Sequence, residues 1–312
     1  MASLTNKIKA LALCNDLDYC RIAPVARFDE APEGHRPTDL LPHARSVISM
    51  GIRYSLGVLL SHRIGMKNRK FRHVAFAYRW FGYGLMNMYF LDRAAFLITQ
   101  LLEDEGHVAF PIVASGVEAS SKPFFPPFSN RHAAVAAGIG EFGWNGLCVT
   151  PEAGPRNRFV SVITTAELDP DPMYDGPKLC DLDKCRELGK GKLICEKVCP
   201  VKAFQGEGCQ SLSIGGREFK YGILDKVKCV APGYQYNKKS LGLKDIRLPK
   251  TFDASTYRTV IEKLHPQQKM EALYYYRRSH GCGLCLLLCP IASSEALEEE
   301  MKHVPRFKTE RK

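Results

Sequence analysis

No stretch of this chain approaches 18 consecutive apolar residues, so nothing in it reads as a membrane-spanning helix. Its opening segment, MASLTNKIKALALCNDLDYC, has no long apolar run, no twin-arginine pair and no small-residue cleavage site, which sets the expectation of a cytoplasmic protein. No glycine triplet of the G-x-G-x-x-G kind opens a helix after a strand, so a Rossmann nucleotide site is not supported. The D-x-H-x-x-G pattern is missing too. Acidic residues vanish between Leu40 and Leu91, a region that carries Arg45, Arg53, Arg63, Lys67, Arg69, Lys70, Arg72 and Arg79, and the formal net charge is +11. Such a stripe suits a tRNA backbone, an acidic ferredoxin or an anionic substrate, or is simply a solvated basic face.

What is present is a chain of 312 residues, 45% apolar and 25% charged, long enough for one large domain and a smaller one. It has 12 cysteines. In a reducing compartment clustered thiols bind metals rather than pair as disulfides. Cys14, Cys20, Cys148 and Cys229 stand apart and read as buried or bystander thiols. Cys209 aside, the others form two altered copies of the C-x2-C-x2-C-x3-C-P run, in which the last cysteine ligates the other cluster of a pair. One copy is Cys282-x2-Cys285-x3-Cys289-Pro290, with Ser279 at the first expected ligand position. The other keeps Cys195-x3-Cys199-Pro200, with Cys180 and Cys185 displaced by the insertion Arg186 to Ile194.

Crossing the ligands satisfies the count. Cys180, Cys185 and Cys195 take Cys289 from the other motif to complete one [4Fe-4S] cluster, and Cys199 joins Cys282 and Cys285 in a second. Cys209 and Cys229 are the candidates for the remaining ligand, and Cys209 is preferred because it follows the first Cys-Pro closely. A four-thiolate zinc site is the alternative.

The chain divides at Asp169 to Pro177 (DPDPMYDGP), where prolines interrupt regular structure. Before that point the pattern is mixed α/β. Arg45 to Arg53, Val108 to Ala114, Leu147 to Thr150 and Arg158 to Thr165 read as strands, and Leu91, Ala94, Ala95, Ile98, Leu101 and Leu102 recur at helical spacing until Gly106. The expected organisation is a first domain over 1–169, a cysteine-rich domain over 170–296 and a basic tail over 297–312. Between the strands lies HAAVAAGIGEFGWNGLCVTPEAGPRNR, His132 to Arg158, whose Gly138, Gly140, Gly143 and Gly146 suit either close approach to a flat ligand or a turn-rich packing loop.

This stretch, running on as FVSVITTAEL, resembles the core of the cobalamin-dependent reductive dehalogenases and their relatives the epoxyqueuosine reductases, where a similar G-x-G-E/W-x-G-x-x-G…TP…GP…R pattern precedes the cluster cysteines. The resemblance covers roughly Arg45 to Ala292. It implies an α/β (α+β) fold in which a nitroreductase-like domain binding base-off cobalamin precedes a ferredoxin-like domain with two [4Fe-4S] clusters. It also implies Cys209 as the extra ligand, since Cys209 to Ile214 is similar to the family's C-I-S-Y-L-T segment. Cofactor-binding residues would be His132, Gly138, Gly140, Glu141, Gly143, Asn145, Gly146 and Thr150. Tyr78, Tyr83 or Tyr89 would donate the proton, with Arg158 or His132 positioning an anion. Where epoxyqueuosine reductases carry an acidic residue in G-R-D-Y-H, this chain has Gly84-Leu85-Met86-Asn87-Met88-Tyr89.

The implied activity is a cobalamin- and iron-sulfur-dependent reductase of a small organic substrate, reductive dehalogenase-like, fed by ferredoxin or flavodoxin. An epoxyqueuosine reductase-like enzyme acting on tRNA and an electron-transfer protein that reduces a partner's corrinoid are the alternatives.

Overall fold

The computed structural model describes residues 2–67, 74, 77–78, 80–115, 126–199, 202–226, 229 and 283–293. Its centre is a four-stranded antiparallel sheet in the order β1-β2-β6-β3, built from β1 (Tyr19–Pro24), β2 (Ser46–Arg53), β3 (Ala109–Ile112) and β6 (Asn157–Thr164). β2 and β6 are its two inner strands and are buried on both faces, which is why SVISM and RFVSVIT read as almost unbroken apolar runs rather than as alternation.

Period two then sorts their side chains. Ile48, Met50, Val160 and Val162 face a layer made by α1 (Leu4–Cys14) and α4 (Asp92–Asp104). Val47, Phe159 and Ile163 face the opposite layer, which contains α5 (Asn130–Ala136) and the short pair β4 (Glu141–Phe142) and β5 (Cys148–Val149). α4 is amphipathic as expected, burying Ala94, Ala95, Ile98 and Leu102. Two more helices precede it, α2 (Pro37–Leu40) and α3 (Leu56–Lys67), followed by a wide π-type helix over Trp80–Leu91. That last element had no signal in the apolar periodicity, which suited α-helix from Leu91 onward.

After β6 the chain runs without helix or strand to α6 (Leu182–Leu188), α7 (Ile194–Lys197) and the hairpin β7 (Phe204–Ile214) and β8 (Arg217–Leu224), and α8 (Leu284–Leu287) carries the second cysteine motif. The hairpin does not stand apart from the first half. Ile214 and Met173 join the core beneath α5, Phe142 meets Phe219 and Tyr221 edge-on and tilted, and the Gly222 amide donates to the Trp144 carbonyl. The two halves therefore share a core at this seam, which a boundary placed at Pro170 does not convey. The tail 297–312 lies outside the described residues. Among the described residues no helix is long and apolar enough to cross a membrane.

Candidate iron-sulfur and tyrosine-arginine site

Cys180 precedes α6, Cys185 lies on α6, Cys195 on α7 and Cys289 just beyond α8, and all four line one cavity of about 320 Å³. Local sequence explains the placement. Asp181 caps α6 by accepting from the Asp183 and Lys184 amides at 3.0 Å each, so Cys180 is held just outside the helix and Cys185 inside it. α7 and α8 pack on one another, bringing the helices of the two cysteine motifs together although about ninety residues separate them. Among the described residues, no three Cys, His, Asp or Glu side chains converge closely enough to hold a single metal ion. The four thiols surround a space instead.

Burial, reinforced by the neighbouring thiols, raises the pKa of Cys195, and the same two causes push Cys289 up to about 11. Mutual repulsion of this kind is what a bound cationic centre relieves when it deprotonates coordinating thiols. Backbone amides already point at the sulfurs, Trp144 N–H at Cys180 Sγ (3.3 Å) and Ile194 N–H at Cys185 Sγ (3.4 Å). The donor set, its spacing around a cavity and these amides fit a [4Fe-4S] cluster.

Of the second expected set, Cys199 accepts from the Ala203 amide at 3.2 Å, Cys285 sits on α8, and Cys209 is exposed on β7 opposite Gly222. Cys282 lies outside the described residues.

Two residues from the first half clamp the cysteine segments. Glu141 Oε1 accepts from the Leu179 and Cys180 amides at 2.6 and 3.0 Å. Arg156, only 4% exposed, donates from one guanidinium to the carbonyls of Leu286, Cys289, Ile291 and Ala292. Replacing Glu141 with alanine leaves those two amides without an acceptor and is expected to destabilise the protein by roughly 1–3 kcal/mol. Loss of iron from Glu141→Ala before Glu141→Gln during stepwise thermal melting checks this, since glutamine still offers one oxygen.

The glycine-rich loop is corrected in its role. A Cβ at Gly138 would sit 2.0 Å from the Pro172 carbonyl, and one at Gly140 would sit 2.0 Å from the Val149 carbonyl, so these positions admit protein backbone rather than a flat ligand. The side chains expected to face a cofactor are engaged likewise. Thr150 Oγ1 bonds Tyr19, Ala153 and Asn157, and Asn145 Oδ1 accepts from the Leu147 amide. His132 Nδ1 lies 2.6 Å from Ser129 Oγ, and burial together with the Arg131 and Lys226 charges lowers its pKa to about 3. It is therefore neutral and unsuited to positioning an anion. In this structure these side chains are bonded to the protein itself.

A second cluster of functional groups stands against α8. Tyr54, Tyr78 and Met86 pack with Leu286 and Leu287 of the helix that carries Cys285. Arg158, at the start of β6, donates from Nε to the Tyr54 hydroxyl (2.7 Å), which donates in turn to the Gly82 carbonyl (3.0 Å). The same guanidinium lies 3.6 Å from the Tyr83 ring centroid. Tyr78 stacks between Tyr54 and His62, at 5.7 and 4.2 Å, and its buried hydroxyl has no hydrogen-bond partner among the described residues. Burial raises the Tyr83 pKa to about 12, with Arg158 opposing the shift.

The structure thus brings Tyr78, Tyr83 and Arg158 together and leaves Tyr89, 58% exposed, outside the group. Tyr54 and His62 escaped sequence reasoning because they lie beyond the motif-bearing segments. A tyrosine at the end of a buried strand is a weak signal.

No family model matches the chain. A tetrachloroethene reductive dehalogenase of Desulfitobacterium hafniense is 41% identical over 81 residues, which make up 25% of this chain and 14% of that protein. Another from Sulfurospirillum multivorans is 26% identical over 159 residues, 50% of this chain and 22% of that protein. The chain therefore spans less than a quarter of the length of these relatives. Among solved structures, epoxyqueuosine reductase with an epoxyqueuosine-modified tRNA stem loop superposes with a TM-score of 0.47 at 17% identity, over 96% of this chain and 68% of that one.

Proposed function

We propose that this chain, a relative of the cobalamin-dependent reductive dehalogenases, is an iron-sulfur reductase of a small organic substrate. The observation that carries the reading is the meeting of Cys180, Cys185 and Cys195 with Cys289 around one cavity, a set drawn from two motifs and matching the crossed count of a two-cluster protein. Cys199, Cys282, Cys285 and Cys209 are the proposed ligands of the second cluster. The corrinoid comes from the relatives, whose chemistry needs a low-valent cobalt when it is bound.

The residues proposed to handle the proton are Tyr83 and Tyr54 with Arg158. Reductive removal of a halide takes two electrons and one proton, giving a carbon-hydrogen bond and a halide ion. Arg158 stays charged because the phenol oxygens of Tyr54, Tyr83 and Tyr78 outweigh the cost of its burial. Tyr83, raised to about 12, keeps its proton throughout the neutral range. The sign is fixed by that direction. A donor with a raised pKa stays protonated below it, so the rate should hold from pH 7 to pH 10 and fall only as pH approaches 12.

Turnover of a small organohalide with reduced viologen and added cobalamin tests the proposal. Tyr83→Phe is expected to lower kcat by about 10²–10⁴-fold while the iron content stays unchanged. Turnover by Tyr83→Phe at the parent rate would remove Tyr83 from the reaction. Reduction of only a partner's corrinoid, with no small molecule consumed, would recast the chain as an electron-transfer protein.

A further inference from the structure

The residues proposed to handle the proton leave Tyr78 without a task. Its side chain is only 1% exposed, and Arg158 directs Nε to Tyr54 instead. The ring is held on three sides, stacked on Tyr54 and on His62 and edge-on to Tyr83 at 5.7 Å. That packing fixes where the hydroxyl points.

What the hydroxyl meets is the second cysteine motif. A Cβ at Gly283 would sit 2.3 Å from the Tyr78 hydroxyl oxygen, and Gly283 lies between Cys282 and Cys285 in sequence. Gly283 takes left-handed backbone, with φ of 58°, and immediately precedes α8, whose Leu286 and Leu287 pack in one cluster with the Tyr78 ring. The nearby acceptors are already engaged. The Gly283 carbonyl accepts from the Leu287 amide at 2.8 Å, and the Tyr54 hydroxyl is bonded to Arg158 and to the Gly82 carbonyl. Among the described residues the Tyr78 hydroxyl is therefore a buried group with no partner, an arrangement that costs about 1–3 kcal/mol. Burial, with the Tyr54 and Tyr83 hydroxyls beside it, raises its pKa well above the ordinary phenol value, so it keeps its proton and is a donor.

We infer that Tyr78 donates a hydrogen bond to a sulfur of the second [4Fe-4S] cluster, and thereby raises the reduction potential of that cluster. The inference rests on the two-cluster reading and adds the residue that sets one of the two potentials. A hydrogen bond to sulfur favours the reduced state, in which the sulfurs carry more negative charge. No proton is transferred and no bond breaks. The same ring stack continues to Tyr54 and Arg158, so the bond favours an electron on the cluster that adjoins the residues proposed to handle the proton.

Potentiometric titration of the reconstituted full chain, followed by electron paramagnetic resonance, reads both clusters without substrate or turnover. Tyr78→Phe keeps the ring and loses the donor. One cluster should become about tenfold harder to reduce, a fall of about 59 mV for a one-electron couple, with the other unmoved and about eight irons retained. Meta-fluorotyrosine at position 78, a stronger donor in the same place, should shift that same cluster upward. Unmoved potentials, or equal shifts of both clusters, would overturn the inference and leave the iron-sulfur reading standing so long as about eight irons remain. If Tyr78→Phe sheds iron, the fluorotyrosine protein decides alone, an upward shift supporting the bond and an unmoved potential overturning it. A parent that assembles no cluster, or holds zinc, would overturn the inference and the iron-sulfur reading together.

Discussion

Arg156→Met should lower the melting temperature by several degrees and release iron, because one guanidinium serves four carbonyls of the segment that ends the second cysteine motif. Methionine keeps an unbranched apolar stem but ends short of the guanidinium, so the loss is of hydrogen bonding together with some packing. The Leu286, Cys289, Ile291 and Ala292 carbonyls then lie against a buried side chain that cannot donate. Charged hydrogen bonds of this kind contribute about 1.5–3 kcal/mol each, so even partial recovery by water leaves a cost of about 3 kcal/mol. Arg156→Lys should recover little, since an ammonium is a point donor and cannot span four acceptors as the planar fork does.

Differential melting with iron analysis separates the outcomes. The expected result is earlier release of the iron held with Cys289, because Arg156 bonds the carbonyl of that residue at 2.9 Å. Unchanged melting and iron content in Arg156→Met would show that α8 seats itself without the first half of the chain.

That dependence bears on how much of this protein is legible in its sequence. The strands at Ser46–Arg53 and Asn157–Thr164 and the helix at Asp92–Asp104 follow from local pattern, because a run buried on both faces and a 3.6-residue stripe are each written in contiguous residues. The four-cysteine set was legible for a different reason. A crossed ligand count constrains distant residues without any knowledge of the fold.

Glu141 was not legible, since its partners are amides at Leu179 and Cys180, nearly forty residues away, and an amide leaves no mark in the side-chain sequence. The loop glycines left two readings open for a related reason. A missing Cβ says that something comes close, and only the fold says that at Gly138 it is the Pro172 carbonyl. The hairpin β7–β8 carries Gly206-Glu207-Gly208-Cys209-Gln210-Ser211, too polar to announce a strand, and it is pinned instead by Trp144 and Phe142 from the other half. Tyr54 became visible only when β2 set its hydroxyl beside Arg158.

The most direct measurement of the central claim is iron and acid-labile sulfide on Cys289→Ala beside the parent, after anaerobic reconstitution. Cys289 belongs by sequence to the Cys282-Cys285 motif and by structure to the cavity of Cys180, Cys185 and Cys195. The parent should hold about eight irons and eight sulfides, as two [4Fe-4S] clusters require. Cys289→Ala should keep about four of each, and adding Cys180→Ala to it should remove no more, because both residues serve the same cluster. A parent that holds zinc, a Cys289→Ala protein that still holds about eight irons, or a further loss of four on adding Cys180→Ala would contradict the account.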